Sequence, residues 1–255
     1  MSHRPRKRFG QNFLQDERVI NTIVKAMALK KTDNVVEIGP GLGAITKPIL
    51  KILESLKVIE IDNDLVALLK ENSEFNNLII INQDVLQVDF SNLGENLRVI
   101  GNLPYNISTP LLIKLLGFTD KIKDMHFMIQ KEVADRIAAS PGCKTYGRLT
   151  VMIQCFYDVE NIIDVEPHAF YPAPKVQSTV IRLTPHKIPL INKNSFSNLE
   201  NLIRQAFAMR RKTIANNLKS IISAADLQTL NIDPTTRPEQ ISINDYLKIE
   251  KFISK

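Results

Sequence analysis

The chain has 255 residues and contains no tryptophan, two cysteines and four histidines. Cys143 and Cys155 form no CxxC pair and have no nearby histidine, so a zinc ribbon or a disulfide framework is not expected. His3, His126, His168 and His186 are too scattered to act as a ligand set, and no metal is expected. Long apolar runs are also missing. The longest are of strand length, far below the roughly 20 residues that cross a bilayer. The basic start, Met1 to Arg8, is not followed by the apolar stretch of a secretory signal. These absences lead to the expectation of a reduced, cytoplasmic protein without a membrane partner. The dinucleotide fingerprint GxGxxG is absent too, which disfavours a dehydrogenase.

What is present is a chain of globular composition, 44% hydrophobic and 24% charged. Its length suits one large domain with a small appendage. The formal net charge of +6 favours a polyanionic partner. Residues 1–10 read as a basic arm carrying Arg4, Arg6, Lys7 and Arg8. Gln11–Leu29 has apolar residues at helical spacing and predicts a lead-in helix. Strands and helices then alternate. Strands are expected at 35–38, 57–61, 78–81, 97–100 and 125–129. Helices are expected at 44–54, 62–71, 110–116 and 131–139, with Asp62 as an N-cap. That alternation implies a parallel sheet covered by helices on both faces. Residues 156–165 and 176–183 have no helix between them and read as a hairpin-like pair closing one sheet edge. After Pro185 only helical spacing remains. The expected division is therefore residues 11–185 for the α/β domain and 186–255 for a smaller helical domain.

Chemistry concentrates at strand ends, where open α/β sheets bind ligands. After the first strand comes Gly39-Pro40-Gly41-Leu42-Gly43, a turn that lets backbone approach a ligand. Glu60 ends the second strand, 21 residues beyond Gly39, at the spacing of a ribose-binding carboxylate. Asp84 follows the third strand and can accept a hydrogen bond from an adenine amine, or simply cap the next turn. The glycine turn and Glu60 together point to an adenosine-containing cofactor. The fourth strand ends in Asn102-Leu103-Pro104-Tyr105. This quartet suits adenine N6, an amine whose lone pair is delocalised into the ring. The Asn102 carbonyl and a main-chain carbonyl near Leu103 can accept from the amine and localise that lone pair for attack on a sulfonium methyl. Pro104 fixes the turn, and Tyr105 offers a flat face to a base lifted from its stack. No general base is needed, and His168 is read as an ordinary loop histidine.

GPGLG, Glu60, Asp84, NLPYNI and FYPAPKVQS together resemble the rRNA adenine N6,N6-dimethyltransferases. The resemblance extends over nearly the whole chain, through QNFL at 11–14, QKEVADRIAA at 130–139, YGRLTVMIQ at 146–154 and AFAMRRKTIANNL at 206–218. It is strongest to the bacterial small-subunit branch of that family. One departure is Gln83, where relatives often have glycine. The resemblance implies a Rossmann-like class I methyltransferase sheet with a small C-terminal all-helical domain, and S-adenosylmethionine as cofactor. It implies that the substrate is 16S rRNA of the small ribosomal subunit, dimethylated at two adjacent adenosines of its 3′-terminal hairpin by a monomeric enzyme. Asn12 and Leu14 would then close over the methionine end of the cofactor. Gly39, Glu60, Asp84 and Asn102 would bind the cofactor, and Tyr105 and Phe170 would flank the target base. Arg204, Arg210, Arg211, Lys212 and Lys219 lie in Asn201–Ala225, which has no acidic residue, and are expected to meet phosphates. Two alternatives are methylation of large-subunit rRNA and a non-catalytic ribosome-assembly factor.

Overall fold

The structure is a computed structural model. It describes residues 5–6, 9–191, 195–209 and 211–254. It opens with a two-residue strand, β1 (Phe13–Leu14), and helix α1 (Glu17–Met27). β2 (Asn34–Ile38), α2 (Thr46–Leu50), β3 (Leu56–Ile59), α3 (Asn63–Glu71), β4 (Leu78–Ile81), β5 (Leu97–Asn102) and α4 (Ser108–Leu116) follow. Next come β6 (Ile122–Gln130), α5 (Lys131–Ile137), α6 (Arg148–Gln154), β7 (Tyr157–Val165), β8 (Phe170–Tyr171) and β9 (Ser178–Pro185). The chain ends in α7 (Phe196–Ala206), α8 (Ile214–Leu218), α9 (Ala224–Thr229) and α10 (Ile243–Ile253).

Seven strands form one sheet in the order β4-β3-β2-β5-β6-β9-β7. The pairs β3–β4, β2–β3, β2–β5 and β5–β6 are parallel, and β9 returns antiparallel to β6. The expected closing pair is present, with β9 and β7 adjacent at one edge. The strand order reverses at β2, whose neighbours are β3 on one side and β5 on the other. Ligand crevices form at such a switch, beyond the carboxyl ends of the strands.

Each element follows from its residues. In α1 the apolar residues Val19, Ile23 and Met27 recur at helical spacing and are buried. Asp16 caps this helix, accepting from the N–H groups of Arg18 and Val19. The lead-in helix expected from Gln11 therefore starts six residues later, and residues 13–14 instead pair antiparallel with 170–171. Asp62 caps α3 as expected, accepting from the Asp64 N–H at 3.1 Å. The helix expected over 44–54 is only five residues long. It ends in a tight turn in which the Ile52 N–H donates to the Ile49 carbonyl. Helix α6 was not expected. Its residues Leu149–Ile153 are all buried, so no polar face marks a 3.6-residue period.

The chain divides into two compact units. One runs to Ala134 and adds Val159–Pro185; the other takes Asp135–Asp158 and the chain from His186 onward. The helical unit thus includes 135–158, which the expected boundary at 185 left in the α/β domain. The reason is α6, which packs on α7. Within this unit Phe207 lies 6.0 Å from the Tyr246 ring and 6.4 Å from that of Tyr146, centre to centre. Both tyrosine hydroxyls donate to main-chain carbonyls, those of Ile241 and Pro238. Buried tyrosines need such partners.

In the α/β unit, Arg98 on β5 holds the start of the sheet together. Its Nε and Nη2 donate to the two carboxylate oxygens of Asp124 at 2.9 and 2.6 Å, and Nη1 donates to Asp33 at 2.7 Å. Nη2 also reaches the Met27 carbonyl at the end of α1. Beside this network His126 is fully buried, and neither ring nitrogen has a hydrogen-bond partner. Burial holds its pKa down from 6.5 to about 4; nearby Asp124 works against this, while Arg98 and Arg182 add to it. The unfolded chain therefore takes up a proton below pH 6.5 that the folded chain refuses until about pH 4. Urea unfolding should show the wild type losing stability, relative to His126→Leu, as pH falls through that interval. A pH-independent difference between the two proteins would refute this.

Candidate active site

The ends of β2, β3 and β5 carry the residues singled out above. Just past β2, Gly39 has φ +65°, and its N–H donates to the Ile59 carbonyl at 2.9 Å. Side chains rarely adopt that conformation, and a Cβ placed there would meet no atom within 4 Å. Gly101 on β5 has a packing reason instead. A Cβ there would lie 2.7 Å from the Ile38 carbonyl oxygen, so glycine lets β5 lie flush against β2.

Glu60, at the end of β3, is only 6% exposed. Its Oε1 accepts from the Asp62 N–H at 2.8 Å. Burial raises its pKa and the Asp62 carboxylate raises it further, while the N–H groups of Asp62, Ile61 and Gly41 oppose the rise. Glu37, on β2, is buried deeper and accepts from the Thr46 hydroxyl at 2.6 Å. Burial lifts it to about 7 against that hydrogen bond, with the Glu60 charge adding to the lift. Asp84 caps the following turn, one oxygen accepting from the Leu86 N–H at 2.9 Å, and also borders the same cavity as Glu60.

Asn102 ends β5. Its Nδ2 donates to the Asn12 carbonyl at 2.8 Å, which sets the amide orientation and leaves Oδ1 as an acceptor. The Leu103 N–H donates to the Met128 carbonyl, which ties the quartet to β6. The Ile107 N–H donates to the Pro104 carbonyl, closing a turn that leads into α4.

These residues border one cavity of about 330 Å³. Gly39, Glu60, Asp84, Asn102, Leu103, Pro104, Tyr105, Phe170 and Asn12 all line it. Leu14 does not. It is 5% exposed, pairs with Phe170 across β1 and β8, and faces the hydrophobic core and a neighbouring hollow. That hollow shares Phe13, Gly39, Gly41 and Asn102 with the cavity. Sequence reasoning missed Phe9, Gly10, Gln11, Ile61, Val85 and Asn106, which also line the cavity.

The N-terminal segment is latched beside the cavity. The Gln11 amide donates to Asp62 at 2.8 Å, and Arg6 pairs with both Asp62 and Asp64. Arg6, one of the cations of the basic arm, is thus held by carboxylates. Arg4, Lys7 and Arg8 lie outside the described residues.

Arg204, Arg211, Lys212 and Lys219 belong to the helical unit and are exposed. Arg204 donates to Asn201, and no carboxylate pairs with any of the four among the described residues. Arg210 lies outside the described residues. His168 is exposed. Among the described residues no cluster of three or more His, Cys, Asp or Glu residues could hold a metal ion, and no helix is long and apolar enough to cross a membrane.

Residues 2–255 match the family described as ribosomal RNA adenine dimethylase. The chain belongs to that family. It is 55% identical to the ribosomal RNA small subunit methyltransferase A of Legionella pneumophila (strain Lens), each chain being covered in full. It is 47% identical to the protein of the same name from Nitrosospira multiformis, over all of this chain and 98% of that one. Among solved structures, a dimethyladenosine transferase from Plasmodium falciparum superposes with a TM-score of 0.81 at 28% identity, covering 93% of this chain and 95% of that one. The 23S rRNA methyltransferase ErmE superposes at 0.73 and 24% identity over 96% of this chain and all of that one, a likeness of fold. The expected class I methyltransferase sheet is therefore present. As in the rest of its family, the enzyme uses S-adenosylmethionine as cofactor.

The cavity fits that group. The open space over Gly39, where a Cβ would meet nothing, leaves room for a ligand against the backbone. A carboxylate stands at the end of β3 and another past β4. Glu60 would hold ribose hydroxyls and Asp84 the adenine amine, with Gly39 and Asn12 nearer the methionine part. Gly39→Ala should cost about 1–2 kcal/mol of stability from its left-handed φ and weaken cofactor binding at least about tenfold, because the methyl group enters ligand space. Calorimetric titration with the cofactor, beside a melting curve, tests this; unchanged affinity would contradict it.

Proposed function

We propose that this chain methylates N6 of two adjacent adenosines in the 3′-terminal hairpin of 16S rRNA, dimethylating each in the small ribosomal subunit of the cytoplasm. The observation that carries this reading is the Asn102 amide. Its N–H is committed to the Asn12 carbonyl, so its carbonyl oxygen is the group left to meet an incoming amine. Tyr105 and Phe170 line the same cavity and suit the two faces of an extruded adenine. Full-length likeness to small-subunit methyltransferases supports the choice of RNA.

Bound S-adenosylmethionine supplies an electrophilic methyl group. The protein positions the amine and tunes its electron density. The Asn102 Oδ1 and the Leu103 carbonyl accept from the two N–H groups, drawing the lone pair out of the ring. Because both acceptors are mounted on β5 and the following turn, they need no rearrangement as charge develops. Once methylated, the nitrogen is acidic enough to lose its proton to water. Leu103, Pro104 and Phe170 line the cavity beside Asn102.

Exposed cations that no carboxylate pairs with among the described residues suit a phosphate surface, so Arg204, Arg211, Lys212 and Lys219 are assigned to RNA affinity and register. Replacing both Arg211 and Lys212 with Gln should weaken RNA binding across sequences. It should also flatten the dependence of log affinity on log salt by about 1–2 units. An unchanged slope would remove these residues from the interface.

Labelled methyl transfer to undermethylated small subunits, with large subunits and DNA alongside, tests the substrate. Label in N6,N6-dimethyladenosine of small-subunit RNA alone supports the proposal. Label in large-subunit RNA supports the first alternative, and no label with cofactor bound supports the assembly-factor reading. Asn102→Ala should lower turnover about 100- to 1000-fold, the range for losing one oriented polar group, while cofactor affinity persists in part. Wild-type turnover in that variant would refute the role given to Asn102.

A further inference from the structure

Tyr105 is tied at two points. Its main-chain carbonyl accepts from the Ser108 hydroxyl at 3.1 Å. Its phenol oxygen lies 3.3 Å from the Ser178 hydroxyl, and the two share a hydrogen bond. Ser108 is fully buried and Ser178 is 1% exposed. Ser178 does not line the cavity, whereas Tyr105 does.

The mounting of Ser178 is rigid. It opens β9 and is in register with Gln130 of β6. On one side of it the Lys131 N–H donates to the Gln177 carbonyl, and on the other the Thr179 hydroxyl donates to Asp164 at 2.7 Å. Tyr105, by contrast, sits in the turn between β5 and α4. A side chain in a turn keeps rotational freedom unless its far end is fixed. Ser108 fixes the backbone end, and Ser178 fixes the ring's outer end against the strand ladder. The segment leading to Ser178 begins at Phe170, which lines the cavity. One stretch of chain therefore supplies one cavity wall and sets the angle of the other.

We infer that Ser178 is a positioning residue for methyl transfer, holding the Tyr105 ring at the tilt that presents the target adenine to Asn102. This rests on the function proposed above. Orientation affects the reacting geometry, whereas RNA affinity comes chiefly from phosphate contacts. The effect therefore falls on kcat. Ser178→Ala should lower kcat about tenfold, with KM for the RNA particle and cofactor affinity both within about twofold.

A double-mutant cycle on the full chain separates this from a structural role. Tyr105→Phe removes the other hydroxyl and should give a similar fall in kcat. In the Tyr105→Phe background, Ser178→Ala should then cost nothing further. Turnover is read by labelled methyl transfer to undermethylated small subunits, with melting curves for every variant. Equal losses in both single variants and no added loss in the double variant establish the inference. Wild-type kcat in Ser178→Ala overturns it, as do independent, multiplying losses in the double variant. If Ser178→Ala does not fold, a wild-type kcat in Tyr105→Phe overturns it and a tenfold loss there supports it. An active wild type with unaffected variants sinks this inference alone. An inactive wild type that binds cofactor sinks the proposed function, and this inference with it.

Discussion

Strands β2, β3, β4 and β5 run in the same direction, so their carboxyl ends share one edge, and the chemistry of the molecule depends on that edge. The order reverses at β2, which opens a crevice between the turn after β2 and the quartet after β5. Gly39, Glu60, Asp84 and Asn102 come from four separate stretches of chain, yet each stands at the end of a strand of the same sheet or within three residues past it. The close fit of β5 against β2 depends on Gly101, which has no side chain to hold the strands apart. Parallel pairing thus does for the site what no single segment can.

The opposite ends of the strands are held by charge. Arg98 satisfies Asp124 with two parallel hydrogen bonds and also binds Asp33 and the end of α1. Burying such groups is costly unless each is paired, and removing one partner of a buried pair typically costs about 3–5 kcal/mol. Arg98 ties together three elements whose relative positions decide where the carboxyl ends fall. His126 lies beside it, packed and unpartnered, as a neutral ring. At the chemical edge the electrostatics differ. Glu37 and Glu60 are buried near one another, and burial pushes both toward the protonated form.

Much of this was legible in the residues. Short apolar runs followed by Gly39, Glu60, Asp84 and Asn102 located both the strands and the cavity wall. Asp62 was readable as a cap because its side chain acts on its own neighbours. α6 was not legible: a helix buried on all sides has no polar stripe to reveal its period. In the segment at 6–14 only Asn12 and Leu14 were placed at the site, and by resemblance, because the segment is held there by partners distant in sequence. These are Asp62 for Arg6 and Gln11, Asn102 for Asn12, and residues 170–171 for 13–14. Leu14 was assigned to the cofactor by resemblance; it packs in the core and borders the neighbouring hollow.

Sequence alone determined most of the elements, the polar residues at their ends and the residue types of the Asn102 quartet. These are local properties, set by periodicity, capping and the chemistry of side chains. Tertiary structure alone decided which oxygen of the site is free to accept, which wall holds Tyr105, and that residues 135–158 join the helical unit. Those outcomes depend on contacts between residues far apart in the chain, and only the packed sheet and helices bring such residues within hydrogen-bond reach.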